Sequence, residues 1–216
     1  MKKADAIKFV ELLKATYPDA TCSLDFTTPF QLVVAVMLSA QCTDERVNKT
    51  TPALFERCKT IEDFANIDIS ELEEIIHPCG FYKNKAKNIK LCAKQVLENF
   101  NGVVPKTMDE LLSLAGVGRK SANVILLEVF GISHGIAVDT HAKRISNLTG
   151  LSKEKEPEKI EQDLIRFFPK KYLGDINHLL VWHGRNTCIA RKPQCANCPI
   201  NIFCDYYNDN FANKTS

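Results

Sequence analysis

Between Lys3 and Tyr17 apolar residues recur at Ile7, Val10, Leu12 and Leu13, a spacing that gathers them on one face of a helix. The next apolar segment has no such period. Leu32 to Leu38 is one continuous run, which periodicity alone assigns equally to a buried helix or a buried strand. Thr28-Pro29 ahead of it reads as an N-cap with proline in the first turn. Ser70 with Glu73, and Thr107 with Glu110, have the spacing of capping boxes that open helices. Phe81 to Phe100 predicts a long helix, lysine-rich on one side and apolar at Ile89, Leu91, Cys92, Val96 and Leu97; Asn101-Gly102 closes it and Pro105 keeps the connection non-helical. A further helix runs over Ser121 to Phe130. Asp139-Thr140 caps one that continues to Thr149-Gly150, and 157–168 and 172–184 give two more. No strand pair shows hairpin spacing, and Gly135 to Val138 is the only other short strand candidate. The fold class is therefore all-α.

Composition supports a globular chain. Hydrophobic residues are 45% and charged residues 25% of the 216, which excludes a disordered protein and suits one large domain or two small ones. No apolar run approaches the roughly 20 residues of a membrane helix, so no membrane is expected as a partner. Met1-Lys2-Lys3 leads into an amphipathic stretch with no signal or transit character, which places the protein in the reducing cytosol. Net charge is only +2, yet its distribution is uneven. Residues 62–74 and 154–163 are acidic, whereas 77–145 carry ten Lys and Arg against five Asp and Glu. Segregated charge of this kind reads either as a solvated face or as a nucleic-acid surface.

Nine cysteines are many for a cytosolic chain, and disulfides are not expected there. Cys22, Cys42, Cys58, Cys79 and Cys92 are scattered and read as small, partly buried side chains without chemistry. Cys188, Cys195, Cys198 and Cys204 instead form C-x6-C-x2-C-x5-C. Thiolates prefer zinc or iron–sulfur clusters, and zinc ribbons usually present two close pairs across a long spacer. One close pair flanked by two short loops favours a cubane over zinc, with unligated thiols as the remaining alternative. Arg185, Arg191 and Lys192 lie where they would offset the charge of an anionic cluster, and the loop tip could equally meet a phosphate.

Leu114 to Lys120 (Leu-Ala-Gly-Val-Gly-Arg-Lys) joins two helical segments. Gly116 permits a left-handed backbone, and Gly118 lets the main chain approach another surface closely. The amides at the start of the next helix are then available to an anion, as in a helix–hairpin–helix on a DNA phosphate; a plain interhelical turn is the alternative. Lys120 follows within the first helical turn. The helix dipole disfavours a cation there, which is what an amine nucleophile needs, while a phosphate-binding lysine is the simpler reading. Asp139, in Val138-Asp139-Thr140-His141, reads as an N-cap that can also serve in catalysis. His141 reads as a packed or hydrogen-bonding histidine.

Leu114 to Asn123, Val138-Asp139-Thr140-His141 and the four-cysteine spacing, in this order, resemble the endonuclease III family of helix–hairpin–helix glycosylases. Leu38-Ser39-Ala40-Gln41, Thr43-Asp44 and His183-Gly184-Arg185 extend the resemblance over almost the whole chain. It implies two helical domains: a helical barrel over 22–133, and a discontinuous domain of 1–21 plus 134–216 holding one [4Fe–4S] cluster on Cys188, Cys195, Cys198 and Cys204, with an active site in the cleft between the domains. It implies a bifunctional DNA glycosylase and abasic-site lyase that removes oxidised pyrimidines from duplex DNA, acting as a cytoplasmic, nucleoid-associated monomer. Lys120 and Asp139 match the family's catalytic pair. Gln41 matches the residue that fills the hole left by an extruded nucleotide. DNA contacts are implied for Phe81, Gly116, Gly118, Arg119, Arg191 and Lys192, and for the lysines of 83–94. Phe81 stands where relatives carry a leucine wedge, and Ala115 replaces a proline common in the hairpin.

Three other readings compete with this one. A mismatch-specific adenine glycosylase would carry a catalytic glutamate where Ala35 stands, would lack the lysine at 120 and would normally extend into a further C-terminal domain. A non-catalytic DNA-binding module would not need both Lys120 and Asp139. A zinc-stabilised regulatory protein is the third alternative, distinguished by the absence of iron–sulfur colour.

Overall fold

The computed structural model describes residues 5–212, and every regular element among them is helical. In chain order the α-helices are α1 (Asp5–Thr16), α2 (Pro29–Ser39), α3 (Asp44–Arg57), α4 (Ile61–Asn66), α5 (Ile69–Ile76) and α6 (Tyr82–Phe100). They continue as α7 (Met108–Leu112), α8 (Arg119–Phe130), α9 (Thr140–Leu148), α10 (Pro157–Phe167), α11 (Leu173–Asn186) and α12 (Asp205–Asn210). The chain divides into two compact units, Ser23–Gly131 and Met1–Cys22 with Ile132–Ser216. No helix among the described residues is long and apolar enough to cross a membrane.

The continuous unit is built around α2. The Thr28 hydroxyl accepts the Gln31 N–H at 3.2 Å, and Pro29 occupies the first turn. Every residue from Phe30 to Leu38 is buried, and α3, α6 and α8 all pack on this helix. A helix covered on all sides needs no polar stripe, which explains the unbroken apolar run. Helix α3 was not foreseen from the apolar pattern. Its buried face uses Thr50 and Thr51 beside Val47 and Leu54, and Pro52 sits inside it. Helix α5 corrects the expected cap at Ser70. The Asp68 carboxylate accepts the Ser70 and Glu71 N–H groups at 2.8 and 3.2 Å, so Ser70 lies within the first turn. Thr107 does cap α7, accepting the Glu110 N–H at 3.4 Å.

The discontinuous unit packs α1 and α9 against α11. Phe9 and Leu13 of α1, Ile145 of α9, Leu164 of α10 and Ile176 and Leu180 of α11 are fully buried in one core. Each such side chain contributes about 1.5–3 kcal/mol relative to exposure. The segment Gly135 to Val138, considered as a strand, is not one. The Ile136 N–H donates to Glu161 Oε1 at 3.2 Å and the Ala137 N–H to Asn177 Oδ1 at 2.8 Å. Buried side chains of α10 and α11 thus satisfy amides that a neighbouring strand would otherwise take.

Candidate functional site

The hairpin between α7 and α8 separates the duties of its two glycines. Gly116 has φ +78°, and a Cβ there would lie 2.5 Å from Met37 Cε and 3.0 Å from Asn88 Cβ. The fold itself requires this glycine. Gly118 has φ −96° and ψ 175°, which any residue adopts, and a Cβ would meet nothing within 4 Å. The fold leaves this position open, so packing does not require a glycine here. Gly118 also gives α8 no side-chain cap, so the first-turn amides can receive an external anion. Ala115 has the N–H that a proline would lack, and it donates to Gln95 Oε1 of α6 at 2.7 Å. Lys120 is the second residue of α8 and is exposed.

Asp139 is the N-cap of α9. Its Oδ1 accepts the Ala142 N–H at 2.8 Å, so capping occupies one carboxylate oxygen and the half-buried residue keeps a second for other work. His141 is packed against the backbone of Gly184, where a Cβ would come within 2.6 Å of the ring, and its Nδ1 lies 3.3 Å from Arg144.

Gln41 and Phe81 are both exposed, Phe81 by 66%, and both have a left-handed backbone, with φ of 55° and 49°. Gln41 follows α2, and Phe81 is the residue that opens α6. The lysine face expected over 83–94 is not uniform. Lys83, Lys87 and Lys94 are exposed, whereas Lys85 is buried and Lys90 donates to the Ile67 carbonyl. Lys85 is therefore not a phosphate contact. Its Nζ donates to the carbonyls of Leu38 and Cys79 at 2.8 and 2.9 Å. Arg191 and Lys192 are exposed on the cysteine loop, as is Arg119 at the start of α8.

Cys188, Cys195, Cys198 and Cys204 line one recess with apolar neighbours such as Ile145 and Ile200. Short 3-10 turns at Cys195–Asn197 and Asn201–Phe203 carry the backbone around it. Burial pushes the Cys198 thiol up to about 11 and raises those of Cys188 and Cys204, and each of these three also feels the neighbouring cysteines. Four soft donors lining one largely apolar recess, with Cys188, Cys198 and Cys204 disfavoured there as bare thiolates, fit a cationic inorganic centre that stabilises the thiolate form. Among the described residues no group of three or more His, Cys, Asp and Glu side chains is placed to hold a single metal ion.

Other groups brace this recess that sequence reasoning missed. Arg144 Nη2 donates to the carbonyls of Cys188 at 2.5 Å and Gly184 at 2.9 Å. His183 is 1% exposed, and burial brings its pKa down to about 4, so it is neutral. Its Nδ1 is 3.0 Å from Tyr17 Oη, and its Nε2 is 3.6 Å from Cys198 Sγ. Tyr17 also bonds Thr187 at 2.6 Å. One consistent donor chain runs from Thr187 through Tyr17 and His183 to the Cys198 sulfur. The His183-Gly184-Arg185 motif pointed towards this position, but nothing local to Tyr17 or Arg144 did.

Residues 34–170 match the model of the HhH-GPD superfamily base excision DNA repair proteins. The endonuclease III of Synechocystis sp. is 50% identical over 94% of this chain and 93% of its own length. The chain belongs to the endonuclease III family. Family membership extends to Bacillus subtilis endonuclease III, 44% identical over 87% of this chain and 86% of that protein. A solved non-covalent endonuclease III–DNA complex superposes with a TM-score of 0.91 at 38% identity, covering 97% of this chain and 98% of that one. A trapped endonuclease III–DNA covalent intermediate matches equally well. Lys120 and Asp139 stand in this family member at the openings of α8 and α9.

Proposed function

We propose that the protein is a bifunctional DNA glycosylase and abasic-site lyase of base-excision repair, acting on oxidised pyrimidines in duplex DNA. The observation that carries this reading is near-full-length identity to endonuclease III relatives, combined with an exposed lysine at an uncapped helix start.

In this mechanism the damaged nucleotide leaves the stack, at a cost of a few kcal/mol that is least for a base already weakened by damage. Gln41 and Phe81 enter the duplex behind it, the ring acting as an apolar wedge. The first-turn amides of α8, Arg119 and the basic tip at Arg191 and Lys192 hold phosphates and position the strand without reading sequence. The neutral Lys120 amine attacks C1′. Its N–C1′ bond forms as the bond from C1′ to the base breaks, and the departing base takes a proton. The carboxylate of Asp139 accepts the lysine proton or faces the positive charge that grows on the sugar. Opening of the C1′–O4′ bond leaves an iminium on Lys120. Loss of the C2′ proton then expels the 3′ phosphate and nicks the strand.

Cys188, Cys195, Cys198 and Cys204 would hold a [4Fe–4S] cluster, which supplies cross-links that fix the 188–204 loop and its basic tip. Arg144 and His183 orient that loop through Cys188 and Cys198. The purified protein should be brown, with broad visible absorption that Cys198→Ser removes; a colourless protein with stoichiometric zinc would overturn this assignment. The activity itself is tested on three duplexes, carrying thymine glycol, an abasic site, or adenine opposite 8-oxoguanine. Excision and nicking of the first, and nicking of the second, are expected. Action on the third alone would replace this reading with that of an adenine glycosylase.

A further inference from the structure

Three non-glycine residues among those described have a left-handed backbone: Gln41, Phe81 and Asn101. Asn101 ends a helix, where that conformation is ordinary. For Gln41 and Phe81 it is strained, and such strain persists only where neighbouring structure enforces it. One side chain reaches both turns. The Lys85 ammonium bonds the carbonyl of Leu38, three residues before Gln41, and that of Cys79, two residues before Phe81. The Lys85 N–H also donates to the Phe81 carbonyl at 3.1 Å. A weaker contact lies nearby: Arg46 Nη1, in the first turn of α3, is 3.5 Å from the Pro78 carbonyl.

Lys85 is only 6% exposed, and burial lowers its pKa. An ion in that position is costly, and an apolar side chain of similar length would fill the space without the cost. What the ammonium adds is geometry: a compact donor that holds two carbonyls from two separate turns at once. We infer that Lys85 is a positioning residue, clamping the Gln41 and Phe81 turns in one arrangement so that both side chains enter the duplex together. The inference rests on the glycosylase reading, in which those two side chains enter DNA.

The test compares binding to a duplex carrying a tetrahydrofuran abasic analogue with binding to the same duplex undamaged. Wild type, Lys85→Met, Lys85→Gln and Lys85→Arg are measured by fluorescence anisotropy, with folding checked by circular dichroism. Lys85→Met should weaken analogue binding about tenfold and leave undamaged-duplex binding within about twofold, because ordered turns are needed only where the stack is opened. Lys85→Arg, which keeps charge and donors, should recover at least half of the lost preference. If Lys85→Met does not fold, Lys85→Gln carries the test, and its preference should fall about threefold. A preference unchanged in the folded variant, or an equal loss on both duplexes, overturns the clamp while the glycosylase reading stands. A wild type with no preference for the analogue overturns that reading, and the clamp with it.

Discussion

Helices α8 and α9 each open on a residue assigned to the chemistry, yet they open in opposite ways. Helix α8 begins at Gly118, without a side-chain cap, and places a cationic side chain in its first turn. Helix α9 begins at Asp139, whose carboxylate caps Ala142. The first arrangement leaves no side chain of the protein over the helix start, where an anion from outside can approach. The second satisfies its own helix and still presents a carboxylate oxygen. Glycine at a helix N-cap costs only a few tenths of a kcal/mol relative to a good side-chain cap, so Gly118 opens the helix start at little expense in stability. Binding and nucleophilic attack call for an open helix start, whereas a carboxylate that supports charge works best when held still.

That contrast can be broken most severely at Lys120. Lys120→Gln should lower single-turnover strand nicking on an abasic duplex by about 10⁴-fold or more, with duplex affinity changed far less. Nicking within tenfold of wild type would remove Lys120 from the chemistry. Asp139→Asn comes next. Asparagine caps as well as aspartate, so stability should shift by less than about 0.5 kcal/mol in a urea titration. Base release, followed on a thymine glycol duplex, should fall by about 10²–10³-fold. The two hairpin glycines separate folding from binding. Gly116→Ala should destabilise the protein by about 2–3 kcal/mol, because the methyl meets Met37 at a left-handed position. Gly118→Ala should leave the melting temperature within about 2 °C. Duplex affinity in this variant should fall about threefold to tenfold, since the methyl stands in the way of a phosphate.

Much of this was legible in the chain. The caps at Thr28, Thr107 and Asp139 follow from local chemistry, and so do most helices. Helix α3 escaped because its inner face is half threonine and contains Pro52, so neither apolar period nor propensity announced it. The Asp68 cap was displaced to Ser70 because Ser70 and Glu73 have capping-box spacing, while the stronger acceptor stood two residues earlier. At the site, the hairpin glycines, Lys120, Asp139 and the cysteines are contiguous or regularly spaced and could be read as motifs. Arg144, Tyr17 and Lys85 could not. Each acts on residues that only the tertiary fold brings near: Arg144 on Cys188, Tyr17 on His183, and Lys85 on Leu38 across 47 positions. A lysine amid other lysines gives no sign in sequence that it points inward.

The proposed mechanism requires attachment of the Lys120 nitrogen to deoxyribose. Borohydride reduction of the protein with an abasic duplex, followed by nuclease and protease digestion and mass spectrometry, locates that bond. The added mass should fall on Lys120 and vanish in Lys120→Gln. An adduct mapped to another amine, or nicking by a protein that never forms one, would contradict the mechanism.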